Sequence, residues 1–388
     1  MSFFETMQEK KPTCDLEGNG SNDVEGAVDW SLTRIHGSNT GYPSFKQAMK
    51  NNGLFIDKTL LCKAFFDIKE TVICVSAPVG FGMLTNINIL ESFFHVVTLN
   101  DMPASTTFGI CCYHNKPEII PETAKAQRAE LFEPTLLCQQ LLPFFNDHFC
   151  QHPVIRINLA VRNVLSAIQQ WVNSFNPKQL NDKQKACYDI LSKTYAEITA
   201  DLKNCRDNQQ DYKTSPKALF ACLSDFVGSI SPERYIVIVD NCDMPFIELQ
   251  GKPWDNEIRQ MLLELLLQML KDNDRLLKAL LVGTYAFPLN ELDLDSVVSI
   301  NPAFNGCFQQ QLKHPLTNEQ AIASMFGYTE SEVYEVAERL NINEQDKLLF
   351  DYYGGYNFGY KGSRFNCAQV FSCAAMIKGH QSSKLLSV

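Results

Sequence analysis

No run of about 18 uninterrupted apolar residues occurs in the 388-residue chain, so no segment is expected to cross a bilayer as a helix. Met1 to Lys10 (MSFFETMQEK) lacks the basic-then-apolar order of a secretory signal. There is no dense run of Lys and Arg, and the formal net charge is -10, which argues against a broad electrostatic footprint on nucleic acid. These absences point to a soluble intracellular protein, cytoplasmic or nuclear, with neither membrane nor nucleic acid as the expected partner. None of the 14 cysteines stands in a CxxC pair. Two clusters, Cys111-Cys112-x-His114 and His148-x-Cys150-x-His152, have no second pair at zinc-site spacing, so no metal is expected. Cys62, Cys74 and Cys222 lie inside apolar runs, where thiols behave as small hydrophobes. Asn19-Gly20-Ser21 matches a glycosylation acceptor, a pattern without meaning in the absence of a secretory signal.

What is present is an alternation of apolar runs and helical periods. The stretch Thr71 to Phe94, TVICVSAPVGFGMLTNINILESFF, organises it: a β-branched run, a Pro/Gly loop, then an amphipathic helix beginning near Leu84. Strand, glycine loop and helix is the layout of a phosphate-binding loop, in which backbone N–H groups and the helix N-terminus converge on an anion. The candidate binding residues are Pro78, Gly80, Phe81, Gly82, Met83 and Leu84. That chemistry also needs a lysine after the last glycine and a hydroxyl beside it, and here Met83 and Leu84 follow Gly82.

Further strands are expected at His152 to Ala160, over RYIVIVD ending in Asp240, and over KALLVGTYAF, with another near Phe308 to Leu312. Strands alternating with helices imply an α/β fold, a parallel sheet covered by helices. The strand holding Asp240 is expected beside the strand leading to Pro78. Residues 1–40 are polar and turn-rich and read as a disordered arm; 41–315 form the α/β domain; 316–388 read as a smaller helical lid. Asp57 is expected to cap a helix over Thr59 to Phe66, and Thr317 with Gln320 to form a capping box.

Eight blocks, in order, resemble the AAA-ATPase-like domain, a P-loop NTPase fold often found beside PD-(D/E)XK nuclease-type domains. They are FIDKT (Phe55 to Thr59), APVGFGML (Ala77 to Leu84), LESFF (Leu90 to Phe94), IVDNCDMP (Ile238 to Pro245), VGTYA (Val282 to Ala286), FGYTESEV (Phe326 to Val333), YYGGYNF (Tyr352 to Phe358) and FNCAQ (Phe365 to Gln369). The resemblance implies an ATP site at the glycine loop, with Asp240 and Asp243 among its residues. It also implies what has changed. The lysine of the family pattern is Met83, the Mg²⁺-binding hydroxyl is Leu84, the glutamate after the strand is Asn241, and the arginine of the fifth block is Ala286. An amide cannot accept the proton of an attacking water, and loss of an arginine finger alone is worth roughly 10³ to 10⁵ in rate. No catalytic residue is therefore expected, ATP binding is expected to be weak at best, and the preferred reading is a pseudo-ATPase that serves as a binding or scaffold module for a protein partner. The alternative is a weak ATPase or nucleotide-gated switch whose charge comes from Lys58 or a partner chain. Asp243 also suits a turn before Met244-Pro245, and YYGGYNF suits packing around a glycine turn.

Overall fold

The structure is a computed structural model that describes residues 28, 34–36, 45–95, 109–110, 121–159, scattered positions from 185 to 200, 233–249, 263–271 in part, 273–285, 287, 294–301, 317–342, 356–357 and 363–365. The N-terminal part holds β1 (Ile35–His36), α1 (Phe45–Lys50), β2 (Phe55–Ile56), α2 (Leu61–Asp67), β3 (Val72–Ser76) and α3 (Met83–Phe94). Next come β4 (Gly109–Ile110), α4 (Pro121–Phe132), α5 (Leu136–Gln140), α6 (Leu142–His148) and β5 (Val154–Asn158). The rest comprises β6 (Tyr235–Asp240), α7 (Met244–Leu249), β7 (Leu276–Gly283), β8 (Val297–Ile300), α8 (Asn318–Ser324), β9 (Tyr328–Thr329), α9 (Glu330–Arg339), β10 (Tyr356–Asn357) and β11 (Ser363–Phe365).

Six strands form the main sheet in the order β4-β5-β6-β7-β3-β8. The pairings β5–β6, β6–β7, β7–β3 and β3–β8 are parallel, and only β4 runs antiparallel, at one edge. Every residue of β3 and β6 is buried, so both faces of these strands are covered, as parallel sheets require. Their near-continuous Val/Ile content is the sequence trace of that double burial. On α3, Phe93 is fully buried, with ring centroids 5.6–5.7 Å from those of Phe132, Phe144, Phe145 and Phe149. The LESFF block thus anchors the loop-bearing helix in an aromatic core. Among the described residues no helix is long and apolar enough to cross a membrane.

Several expectations change. The strand ending in Asp240 is in the same sheet as β3 but not beside it, because β7 lies between them. Apart from half-buried Leu277, β7 is buried along its length, which suits it to the middle of the sheet. The fifth parallel strand is Val297–Ile300, and Phe308 to Leu312 lies outside the described residues. Ile35 and His36, inside the stretch read as a disordered arm, pair with β2, and Ile35 is buried. The segment read as a helical lid holds α8 and α9 but also the antiparallel sheet β10-β11-β9.

The starts of α8 and α9 follow side-chain chemistry. Thr317 Oγ1 accepts from Gln320 N at 3.3 Å while Gln320 Oε1 accepts from Thr317 N at 3.0 Å, the expected capping box. Thr329 and Glu332 repeat it at α9. Asp57, expected to cap a helix over Thr59 to Phe66, is not its cap, because α2 begins at Leu61 with Leu60 as N-cap and no side-chain cap bond, and Asp57 bonds outside that helix. Its Oδ1 accepts from Thr59 N and Oγ1 at 2.9 and 2.6 Å, and its Oδ2 accepts from Leu136 N at 2.8 Å, at the start of α5. The buried carboxylate therefore ties two segments 79 residues apart.

His95, just past the end of α3, is buried, and its Nδ1 accepts from Val154 N at 3.0 Å. Burial, aided by the charge of Arg128, lowers its pKa to about 3. Burial lowers His148 and His152 as well. An unfolded histidine titrates near ~6.5. Below that pH the unfolded chain takes up a proton that folded His95 refuses, so the stability present above ~6.5 is lost as pH falls toward about 3. The slope reaches about 1.4 kcal/mol per pH unit for one such group. Denaturant melts between these limits should show it, and His95→Asn, which keeps an acceptor for Val154 N, should remove one proton's worth of the slope.

Candidate functional site

The loop after β3 starts with Ala77 N donating to Gly283 O at 3.0 Å, which extends the β3–β7 ladder. The chain then turns at Pro78. Gly80 has φ 91° and Gly82 φ 86°, left-handed values that glycine alone adopts without strain. Gly82 is the N-cap of α3 and offers no side chain, so among the described residues no side chain caps this helix start. Between the glycines Phe81 is fully buried, while Val79 is 73% and Leu84 48% exposed. Met83, the first helical residue, packs half-buried against the hydrophobic core.

The loop is held from behind by the segment after α8. Gly327, at φ 72°, donates its N–H to Phe81 O at 3.0 Å, and Asn86 Nδ2 donates to Met325 O at 3.1 Å. Gly327 of the FGYTE block thus contacts the loop, and Met325, just before the block, contacts the first turn of α3.

Register brings Asn158, Asp240, Gly283 and Ser76 to the carboxyl ends of four neighbouring strands: Asn158 pairs with Asp240, Asp240 with Val282, and Ser76 with Gly283. Open parallel sheets bind ligands at this end. Two strand spacings, about 10 Å, separate β6 from β3. The Asp240 carboxylate is buried and accepts through Oδ2 from Arg156 Nη2 at 3.2 Å. Burial pushes its pKa up, and the Arg156 guanidinium opposes the shift. Arg156 also donates through Nη1 to Asn88 Oδ1 at 3.0 Å and to Glu91 Oε2 at 3.2 Å, both on α3. One guanidinium from β5 therefore joins the end of β6 to the second and third turns of the loop helix.

Asn241 follows at φ 55°, a conformation asparagine tolerates, and its Nδ2 donates to Asn158 Oδ1 at 2.9 Å. Asp243 reaches across to the end of β7, where its Oδ2 accepts from Thr284 N at 2.9 Å and Tyr285 N at 2.8 Å. Its buried Oδ1 has no hydrogen-bond partner among the described residues. Asp243 O also accepts from Phe246 N and Ile247 N in the first turn of α7. The residue braces two loops at once. Lys58 Nζ donates to Glu332 Oε1 at 2.6 Å in a buried ion pair, with its charge spent on α9.

The structure therefore gathers the loop residues Pro78 to Leu84, and Asp240, Asn241 and Asp243, at one end of the sheet, while Ala286 lies outside the described residues. Sequence reasoning missed Arg156, Asn158 and Gly283. A charged side chain inside the apolar run HPVIRINLA was the available signal for Arg156, since charges are buried only when paired. The cysteines Cys62, Cys74 and Cys242 are buried, Cys222 lies outside the described residues, and among the described residues no group of three His, Cys, Asp or Glu could hold a metal ion.

A five-stranded parallel sheet flanked by helices, with a glycine loop opening a helix at its carboxyl end, defines an α/β protein of the P-loop type. The family described as "Predicted AAA-ATPase" (AAA-ATPase-like) matches residues 39–292, more than half of the chain, and the chain belongs to that family. Comparison with curated proteins and with solved structures gave no match.

Gly283 faces a tight contact that fixes its identity. A Cβ built there would lie 2.5 Å from Asp243 Oδ1 and 2.8 Å from its Cγ. Gly283→Ala should therefore destabilise the protein by about 1–3 kcal/mol, the usual range for overpacking. In an Asp243→Ala background the same substitution should cost much less, and additive costs in urea melts would show that the contact is not the cause.

Proposed function

We propose that this protein is a pseudo-ATPase: an AAA-ATPase-like domain retained as a binding or scaffold module for a protein partner, with little or no ATP hydrolysis. The observation that carries the reading is the direction of Met83. Where the family pattern has a lysine reaching for phosphate, a thioether packs onto the core. The other positions agree. Leu84 brings no hydroxyl for a metal, Asp240 is engaged by Arg156, and Asn241 bonds to Asn158 in place of a general base. A magnesium–nucleotide does not fit these residues. Pro78, Gly80, Phe81, Gly82 and the first turn of α3 retain backbone geometry for an anion, and Asp243 serves the loops rather than a ligand on this reading.

The nucleotide-gated alternative draws on Lys58, whose ammonium is committed to Glu332, so it would need a charge from a partner chain. We read residues 41–315 as the α/β domain and 316 onward as a smaller subdomain. Packing crosses that boundary: Tyr328, Val333, Val336 and Leu340 pack with Ile35, Leu54 and Ile56, and Ala321 and Phe326 join the main core. With a net charge of -10, the partner is expected to be protein rather than nucleic acid.

Purified protein should show no ATP turnover above a no-enzyme control. A Mg²⁺-dependent rate that disappears in Asp240→Ala would defeat the reading, because a contaminant cannot follow that substitution. Nucleotide affinity should be on the order of millimolar, equivalent to roughly 4 kcal/mol, since a helix N-terminus alone contributes only about 0.3–1 kcal/mol. Met83→Lys with Leu84→Ser should tighten binding in a Mg²⁺-dependent manner. Micromolar binding by the unmodified protein, measured by calorimetry, would favour the switch instead.

A further inference from the structure

We propose that Arg156 is a resident counter-cation for Asp240, a built-in guanidinium that takes up the carboxylate a divalent metal would need and makes this end of the sheet metal-independent. The inference rests on the pseudo-ATPase reading for its choice of site, but it concerns a residue that the family pattern does not assign.

Three observations carry it. First, Asp240 is buried at the end of β6, where an uncompensated carboxylate would be costly, and Arg156 is the cation bonded to it, at 3.2 Å. Second, the guanidinium binds three acceptors on two elements, Asp240 Oδ2, Asn88 Oδ1 and Glu91 Oε2. The planar guanidinium fork presents donors in fixed directions, Nη1 to α3 and Nη2 to Asp240. Third, Asn88 and Glu91 stand in the second and third turns of α3, about 8 to 12 Å along the helix from Met83 at 1.5 Å per residue. Asp240 Oδ2 is thus tied to the flank of the helix rather than to its phosphate-facing start. Arg156 and Asp240 offset each other, so the guanidinium's charge is spent on the strand end and not offered to a bound polyphosphate. The cluster is a clamp, not a ligand.

Removing the guanidinium should convert the clamp into a cation site. Thermal melts without nucleotide should show the unmodified protein indifferent to millimolar Mn²⁺ or Mg²⁺. Arg156→Gln should lower the melting temperature by roughly 5–10 °C, the scale of breaking a buried pair, and millimolar Mn²⁺ should restore part of the loss. Arg156→Gln with Asp240→Asn should melt above Arg156→Gln alone and ignore Mn²⁺. An Arg156→Gln protein that melts with the unmodified one, or that gains nothing from Mn²⁺, would overturn the proposal. Should Arg156→Gln not fold, the double variant still decides: folding with it retained supports a charge-compensating role, and failure of both refutes it. A metal-induced rise in the unmodified protein that Asp240→Asn removes would also refute it. ATP turnover alongside a metal-indifferent melt would count against the pseudo-ATPase reading alone.

Discussion

A strand buried on both faces accepts polar side chains readily where it ends and elsewhere only with partners, and this constraint arranges the site. Every residue of β3 and β6 is buried, so their polar termini, Ser76 and Asp240, collect with Asn158 of β5 along one edge. Lys278 within β7, which donates to the Ile68 and Glu70 carbonyls, and Arg156 within β5 are exceptions that test the rule; Arg156 is the one at the site. It sits two residues before the end of β5, and it is tolerated there because Asp240, Glu91 and Asn88 surround its guanidinium. The same bonds fix α3 against the sheet, so the position of the glycine loop depends on an ion pair several residues away from it.

Much of this was legible in the sequence, for local reasons. β-branched runs gave away β3, β5 and β6, an apolar run gave away β7, the glycines gave away the turns at 80 and 82, and Thr317 with Gln320 announced a helix start. What was not legible is non-local. No pattern within RYIVIVD says that β7 will separate it from β3, and the four-residue strand β8 is too short to stand out. Asp57 looks like an N-cap because its neighbours favour that, yet one of its oxygens serves Leu136. Strand order and cross-chain bonds depend on which elements meet, and residue spacing carries little of that.

The loop is also shaped from the far end of the described chain. Gly327 donates to the Phe81 carbonyl and Met325 O accepts from Asn86, while Glu332 pairs with Lys58 ahead of α2. Substitutions in the FGYTESEV block therefore act on the glycine loop through hydrogen bonds, without any contact to a ligand.

The Lys58–Glu332 pair has a further meaning during synthesis. Its partners are 274 residues apart, and at about 5–20 residues per second roughly 14 to 55 seconds pass between the two being made. For that interval Lys58 is a cation without its carboxylate, in a chain whose β3 and α3 residues have already been made. The buried ion pair can therefore form only late in synthesis, although Lys58 is made before any strand of the main sheet.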